Sequence, residues 1–230
     1  MNGTGRSLRR TLAAAFPHTV PVLTGYLVLG VAYGVLMQAK GYGAIWAFLM
    51  SAVAFCGSMQ FVAITLLTGA FDPVGAFLMS LMVNARHLFY GVSMLGKYRG
   101  MGWAKVPLGY TLSDETFSIV SSVEPPEGVR ARDFYLAVSG LDYIYWVGGS
   151  VLGALAGQFI RFDTTGLDFA LTGLFVVLFI EQVKNPENRR SGVIGLVCTV
   201  AALAVFGADK LVIPAMILVL VVLLLGRKKL

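Results

Sequence analysis

Long stretches of this chain carry no charged side chain. Residues 20–38, 44–70 and 211–226 are the clearest, and each approaches or exceeds the ~20 residues that an α-helix needs to cross the hydrocarbon core of a bilayer. The apolar runs are continuous. They do not alternate over about ten residues, as the strands of a membrane barrel do. The pattern predicts spans over 20–38, 44–68, 73–96, 134–159, 167–183, 191–207 and 210–226, an all-α, polytopic transmembrane helical bundle of about seven spans. Residues 1–18 read as a cytoplasmic tail or a short amphipathic helix carrying Leu8, Leu12, Ala15 and Phe16. Residues 19–226 form the transmembrane domain, and 227–230 a basic cytoplasmic C-terminus.

Two segments break the pattern. In the second apolar run, Phe55-Cys56-Gly57-Ser58-Met59-Gln60 places glycine and polar residues where a span should be uniformly apolar. Residues 104–122 are apolar at both ends but hold Thr111, Ser113, Asp114, Glu115 and Thr116 at the centre. Basic residues near 6–10, 97–105, 184–190 and 227–229 place both termini and two loops in the cytoplasm by the positive-inside rule. Simple alternation through every span cannot satisfy all four. A broken or re-entrant early segment at 55–60, with 104–122 as its counterpart, resolves the conflict. Interrupted segments in two pseudo-symmetric halves point to a transporter's binding site. Gly30/Gly34, Gly149/Gly153 and Gly153/Gly157 have the small-xxx-small spacing that brings helix backbones close; ordinary packing explains them.

Composition narrows the classes further. Of 230 residues, 57% are hydrophobic and 13% charged, against about 25% charged in soluble domains. The net charge of +6 comes from residues at span ends, so it marks membrane anchoring and not a nucleic-acid surface. Cys56 and Cys198 both sit in apolar segments and make neither a disulfide framework nor a metal site. No cleavable signal peptide is expected, because the basic N-terminus leads into a span of full length. Phosphate-loop, nucleophile-elbow and metal-spacing motifs are absent from the sequence. No enzyme and no cofactor are therefore expected, and a gradient or a partner must supply energy.

The candidate chemistry lies in polar residues within apolar runs. Asn84-Ala85-Arg86-His87 falls inside 71–95, and an ionised side chain at the bilayer centre costs roughly 2.5–3.5 kcal/mol on insertion scales. Arg86 suits a substrate carboxylate, and His87 can titrate near neutral pH. The competing reading has Arg86 snorkelling to head groups and His87 bonding locally. Asp114 and Glu115 suit an ammonium group or a coupling proton, or else belong to a polar surface loop. Ser58 and Gln60 suit a polar ligand beside a broken helix, or a helix–helix hydrogen bond. Asp142, Tyr143 and Trp146 suit a pocket wall, or an aromatic belt at the interface. Glu181 and Gln182 read as surface residues.

With these residues in view, the chain resembles the AzlC family of branched-chain amino acid permeases. The segments that carry the likeness are Ala15-Phe16-Pro17, the Gly30–Gly34 run, Gly57-Ser58-Met59-Gln60-Phe61, Asn84-Ala85-Arg86-His87-Leu88-Phe89-Tyr90-Gly91 and Leu112-Ser113-Asp114-Glu115-Thr116-Phe117. The resemblance covers about residues 12–200. It implies the large subunit of a two-component exporter of branched-chain amino acids such as valine, paired with a small AzlD-type membrane subunit. A secondary exporter in the cytoplasmic (inner) membrane is the resulting expectation. In it Arg86 holds the carboxylate, Asp114, Glu115 or Asp142 takes the ammonium or a proton, and Phe61, Tyr143 and Trp146 hold the side chain. A channel-like pore or a non-transporting scaffold is the rival. A pore needs a continuous polar path where this sequence has patches, and a scaffold has no need of buried charge.

Overall fold

The computed structural model describes residues 3–159, 173, 176, 179, 180, 183, 184, 186–207 and 211–226. The expected span at 167–183 lies largely outside them, as do Glu181, Gln182 and residues 227–230. All regular structure among the described residues is helical. The chain divides into two compact units, Met1–Thr164 and Thr165–Leu230.

The first unit is built on two long helices. α1 runs unbroken from Gly3 to Ala39, so the N-terminal tail and the first expected span are one helix. Pro17 and Pro21 lie inside it. Each removes a backbone hydrogen bond without ending the helix, which membrane helices tolerate. α7, Ala131–Gly157, packs along α1 through small residues. A Cβ added to Gly34 would overlap the Ser150 carbonyl oxygen and the Ala154 nitrogen, and one on Gly153 would overlap Val31. At Gly30 it would stand 3.1 Å from Gly149 and Ser150 backbone atoms. The two helices touch backbone to backbone, an approach only glycine permits.

Between them in sequence lies a series of shorter helices. α2 (Ala44–Leu49) passes into a π-helical turn, Met50–Ala54, and the chain then breaks. Phe55 takes a left-handed conformation, φ 39° and ψ 52°, rare for a bulky residue. α3 begins at Gly57 and ends at Thr68. α4, Pro73–Met94, starts with Asp72 accepting from the Gly75 N–H at 2.9 Å and with Pro73 in the first turn, a strong start signal. A 3₁₀ turn at Gly102–Ala104 precedes α5 (Lys105–Tyr110). The chain breaks again at 111–113, and α6 spans Asp114–Ser122. Both interruptions expected from the sequence are present in the backbone.

The second break-prone stretch is fastened to α7 by a cluster in the loops. Lys97 pairs with Glu124 at 2.9 Å, donates to the Ser121 carbonyl at 3.2 Å and lies over the Tyr135 ring. In the second unit, α8 (Pro186–Phe206) packs against α9 (Val212–Gly226).

Among the described residues, two helical stretches are long and apolar enough to cross a membrane, Leu8–Ala39 with mean hydropathy 1.9 and Arg189–Phe206 with 1.6. Ala44–Ala54 and Gly57–Thr68 are apolar but shorter, because the break at Phe55 divides one expected span. α4 and α7 have 22 and 27 residues, but polar residues lie inside both. Phe71, Phe77, Leu88, Phe89, Trp103 and Val106 are exposed at the surface, a distribution suited to contact with lipid rather than water.

Candidate functional site

The polar residues converge on the N-terminus of α6. Ser113 caps this helix, its Oγ accepting from the Thr116 N–H at 3.2 Å. Asp114 and Glu115 occupy the first turn, where the helix dipole favours negative charge. Arg86 reaches in from α4. Its Nη1 lies 2.6 Å from Asp114 Oδ2, and its Nη2 donates to Ser58 Oγ at 3.3 Å in the first turn of α3. One guanidinium thus ties three helices together. The pair is incomplete: Arg86 Nε and Asp114 Oδ1 are buried with no hydrogen-bond partner. Each side chain thus keeps one unused hydrogen-bonding atom, and the two side chains are 42% and 35% exposed. The pair therefore holds hydrogen-bonding capacity that it does not itself use.

Glu115 begins a separate network. Tyr26, from the middle of α1, donates to Glu115 Oε2 (2.6 Å) or Ser113 Oγ (2.7 Å). Ser113 donates to Thr116 Oγ1 at 3.0 Å, and Thr116 donates to Asp142 Oδ2 at 2.8 Å. Asp142 is fully buried in α7, and its Oδ1 has no partner.

A model of the AzlC protein family matches residues 21–160. The chain is 46% identical over 217 residues to the branched-chain amino acid transport protein AzlC of Bacillus subtilis, covering 94% of this chain and 85% of the relative. This chain belongs to the AzlC family. An uncharacterized membrane protein of Helicobacter pylori (strain 26695) is 40% identical, with 94% and 95% of the two chains covered. The inner membrane protein YgaZ of Escherichia coli is 23% identical, with 87% and 82% covered. No solved structure matches the chain. The family region 21–160 contains every site residue described above.

The remaining expected residues fall in two further places. Gln60 is fully buried and engaged from three directions. Its Nε2 donates to Ser51 Oγ at 3.0 Å, and its Oε1 accepts from Trp146 Nε1 at 2.8 Å and from the Cys56 N–H at 3.3 Å. Trp146 is 3% exposed and packs among Tyr26, Tyr33 and Phe61. Gln60, Trp146 and Phe61 lie in the core behind the broken helix, and Gln60 makes the helix–helix hydrogen bond that was one of its two readings from the sequence. Their apolar surface and polar atoms are already covered by neighbours. Tyr143 donates to the Ala52 carbonyl at 2.8 Å, and its ring lies against Phe55. Tyr110 donates to the Ala52 carbonyl (2.6 Å) or to the Val53 carbonyl (2.7 Å). These hydroxyls satisfy carbonyl groups that the π turn and the break leave without helical partners.

His87 bonds through Nδ1 to the Asn84 carbonyl at 3.2 Å, and its ring meets Tyr90 edge-on. Tyr90 in turn stacks on Phe117 of α6 at 4.4 Å. Asn84 and His87 thus lie on α4 with Arg86, but the ion pair reaches only Arg86. Tyr26 was missed from the sequence. Its signal was available: it lies one turn before Gly30 on the glycine face of α1, so that its hydroxyl is carried toward α6 and α7.

Proposed function

We propose that this AzlC-family chain is a secondary transporter that exports branched-chain or related apolar L-amino acids across the cytoplasmic (inner) membrane. The observation that carries the reading is the Arg86–Asp114 pair with its buried, unpartnered Nε and Oδ1. An amino acid is a zwitterion. Its carboxylate matches the guanidinium, and its ammonium matches the carboxylate, so insertion replaces one ion pair by two without adding net charge. Ser58, in the first turn of α3, brings the positive end of a helix dipole to the carboxylate side. A broken helix beside a charged cluster is also the arrangement that secondary transporters use at their binding sites. The name of the B. subtilis relative supports an amino acid substrate.

In this reading Arg86, Asn84 and Ser58 serve the carboxylate, and Asp114 the ammonium. His87, Glu115 and Asp142 handle protons. Tyr143 and Phe55 border the side chain, while Gln60 and Trp146 hold the broken helix in place from behind. The protein is a non-enzyme with about seven spans, both termini in the cytoplasm, and a small AzlD-type membrane subunit as partner. Cysteines placed at Arg99 and Arg189 should label from the cytoplasmic side only.

Efflux of valine, leucine, isoleucine and methionine from preloaded cells tests the function, with the chain alone and with the small partner. Faster, saturable efflux that is lost in Arg86→Ala, with normal membrane insertion, is expected. No efflux in any pairing at confirmed expression would refute the exporter reading.

A further inference from the structure

Glu115 and Asp142 are joined by an unbroken line of hydroxyl groups. Tyr26 bonds to Glu115 at 2.6 Å and to Ser113 at 2.7 Å. Ser113 bonds to Thr116 at 3.0 Å, and Thr116 to Asp142 at 2.8 Å. Every link is within hydrogen-bond distance. The three hydroxyls each carry one proton and lone pairs to accept another. The ends differ. Glu115 is partly exposed, whereas Asp142 is fully buried with Oδ1 unpartnered. A buried carboxylate with a vacant oxygen needs a partner or a proton, and among the described residues no cation pairs with it. The Tyr26 hydroxyl has one proton and two acceptors within reach, so the line can be polarised toward either end.

We propose that Tyr26, Ser113 and Thr116 form a proton relay between Glu115 and Asp142. In the forward step, Glu115 in its acid form gives its proton to Tyr26 Oη. Tyr26 passes its own to Ser113 Oγ, Ser113 to Thr116 Oγ1, and Thr116 to Asp142 Oδ2. At each hydroxyl one O–H bond breaks as another forms. The net result is one proton moved, a carboxylate at Glu115 and an acid at Asp142, with no change in electrons. The hydroxyls then point back toward Glu115, and the reverse step restores them. Hydrogen-bonded chains of this kind polarise cooperatively.

The charged and titratable groups around the relay are few. Tyr26 faces it from α1, Glu115 from α6 and Asp142 from α7. Tyr90 of α4 lies within electrostatic reach of Glu115, Asp114 and Arg86. The Arg86–Asp114 pair sits one residue from Glu115 but sends no hydrogen bond into the line. The relay and the amino acid site therefore share the first turn of α6 while using different side chains. Coupling of this proton to amino acid export rests on the exporter reading; the relay itself does not.

The test is a pH jump on the full-length protein in lipid nanodiscs, followed by time-resolved infrared absorption of the carboxylic acid C=O stretch. The relay predicts a band absent in Asp142→Asn. Its appearance should slow by about an order of magnitude or more in Thr116→Val, as when a proton transfer loses its positioned partner. Thr116→Ser, which keeps the hydroxyl, should restore the rate. Should Asp142→Asn fail to fold, Glu115→Gln gives a second handle, because it should slow the same band. Wild-type kinetics in Thr116→Val, or a pH-jump spectrum unchanged in Asp142→Asn, would overturn the relay. Valine efflux is measured in parallel. Relay kinetics as predicted with no efflux would leave the relay standing and remove the exporter reading.

Discussion

Trp146 donates its indole N–H to Gln60 Oε1 across 2.8 Å, with both residues buried. This one bond joins the centre of α7 to the start of α3, directly after the left-handed turn at Phe55. Gln60→Leu keeps much of the volume but leaves the Trp146 N–H, the Cys56 N–H and the Ser51 hydroxyl without their partner. Each unsatisfied buried group costs about 1–3 kcal/mol. The variant should unfold several degrees earlier in a thermal melt, with a red-shifted tryptophan emission. An unchanged melting temperature would show that the bond contributes little.

Arg86 should not tolerate a replacement that keeps its charge, nor Asp114 one that keeps its shape without the charge. A lysine at 86 keeps the charge but cannot contact Asp114 and Ser58 together while offering a further N–H. Arg86→Lys should raise the KM for valine efflux about tenfold or more, a loss of about 1.4 kcal/mol per tenfold. Asp114→Asn should do likewise. A KM unchanged in both would remove the pair from the substrate site.

The glycine seam makes a sharper structural prediction. Gly34→Ala puts a methyl group into the Ser150 carbonyl, and Gly153→Ala puts one into Val31. Overpacking of a tight contact costs about 1–3 kcal/mol, and here the obstacle is backbone, which cannot rotate away. Either variant should lower the melting temperature and the yield of folded protein. Gly25→Ala, where an added Cβ meets nothing within 4 Å, is the control and should behave as wild type.

Lys97 offers a pH-dependent check outside the spans. Partial burial works against its charge, but hydrogen bonds and charge attraction from Glu124 and Tyr135 outweigh that effect. They hold the ammonium above its ordinary value of 10.5. A raised value in the folded state means that the pairing stabilises fully below pH 10.5 and is lost as pH rises past it. Glu124 is largely exposed, so the contribution is no more than about 1 kcal/mol. Lys97→Met should lower stability slightly at pH 7, and the difference from wild type should vanish at strongly alkaline pH. A gap that persists there would assign the effect to packing.

Several parts of this structure were legible in the sequence, for identifiable reasons. The breaks at 55–56 and 111–113 announced themselves because glycine and polar residues inside apolar runs have no other ready explanation. Arg86 and Asp114 stood out singly by the same reasoning, but only the fold shows that they meet, since their 28-residue separation carries no signal of contact. Gln60 and Trp146 stayed open to two readings because a polar tip in an apolar segment looks the same whether it faces a ligand or a neighbour. Nothing in the pattern of either residue says that the two find each other. Tyr26 was hidden by its own chemistry, since a phenol is apolar enough to pass as ordinary span content. The continuity of α1 through Pro17 and Pro21 went against the usual reading of proline as punctuation, a rule that holds more firmly in water than in a membrane.

The seam between α1 and α7 has one more consequence. Backbones that interlock glycine by glycine cannot slide by a turn, because every new register would drive a side chain into a main chain. The two helices must therefore behave as a single stiff mast. On the exporter reading, any motion that turns a bound molecule from one side of the bilayer toward the other then falls to the short helices rigged around it, from the π turn at Met50 to the cap at Ser113.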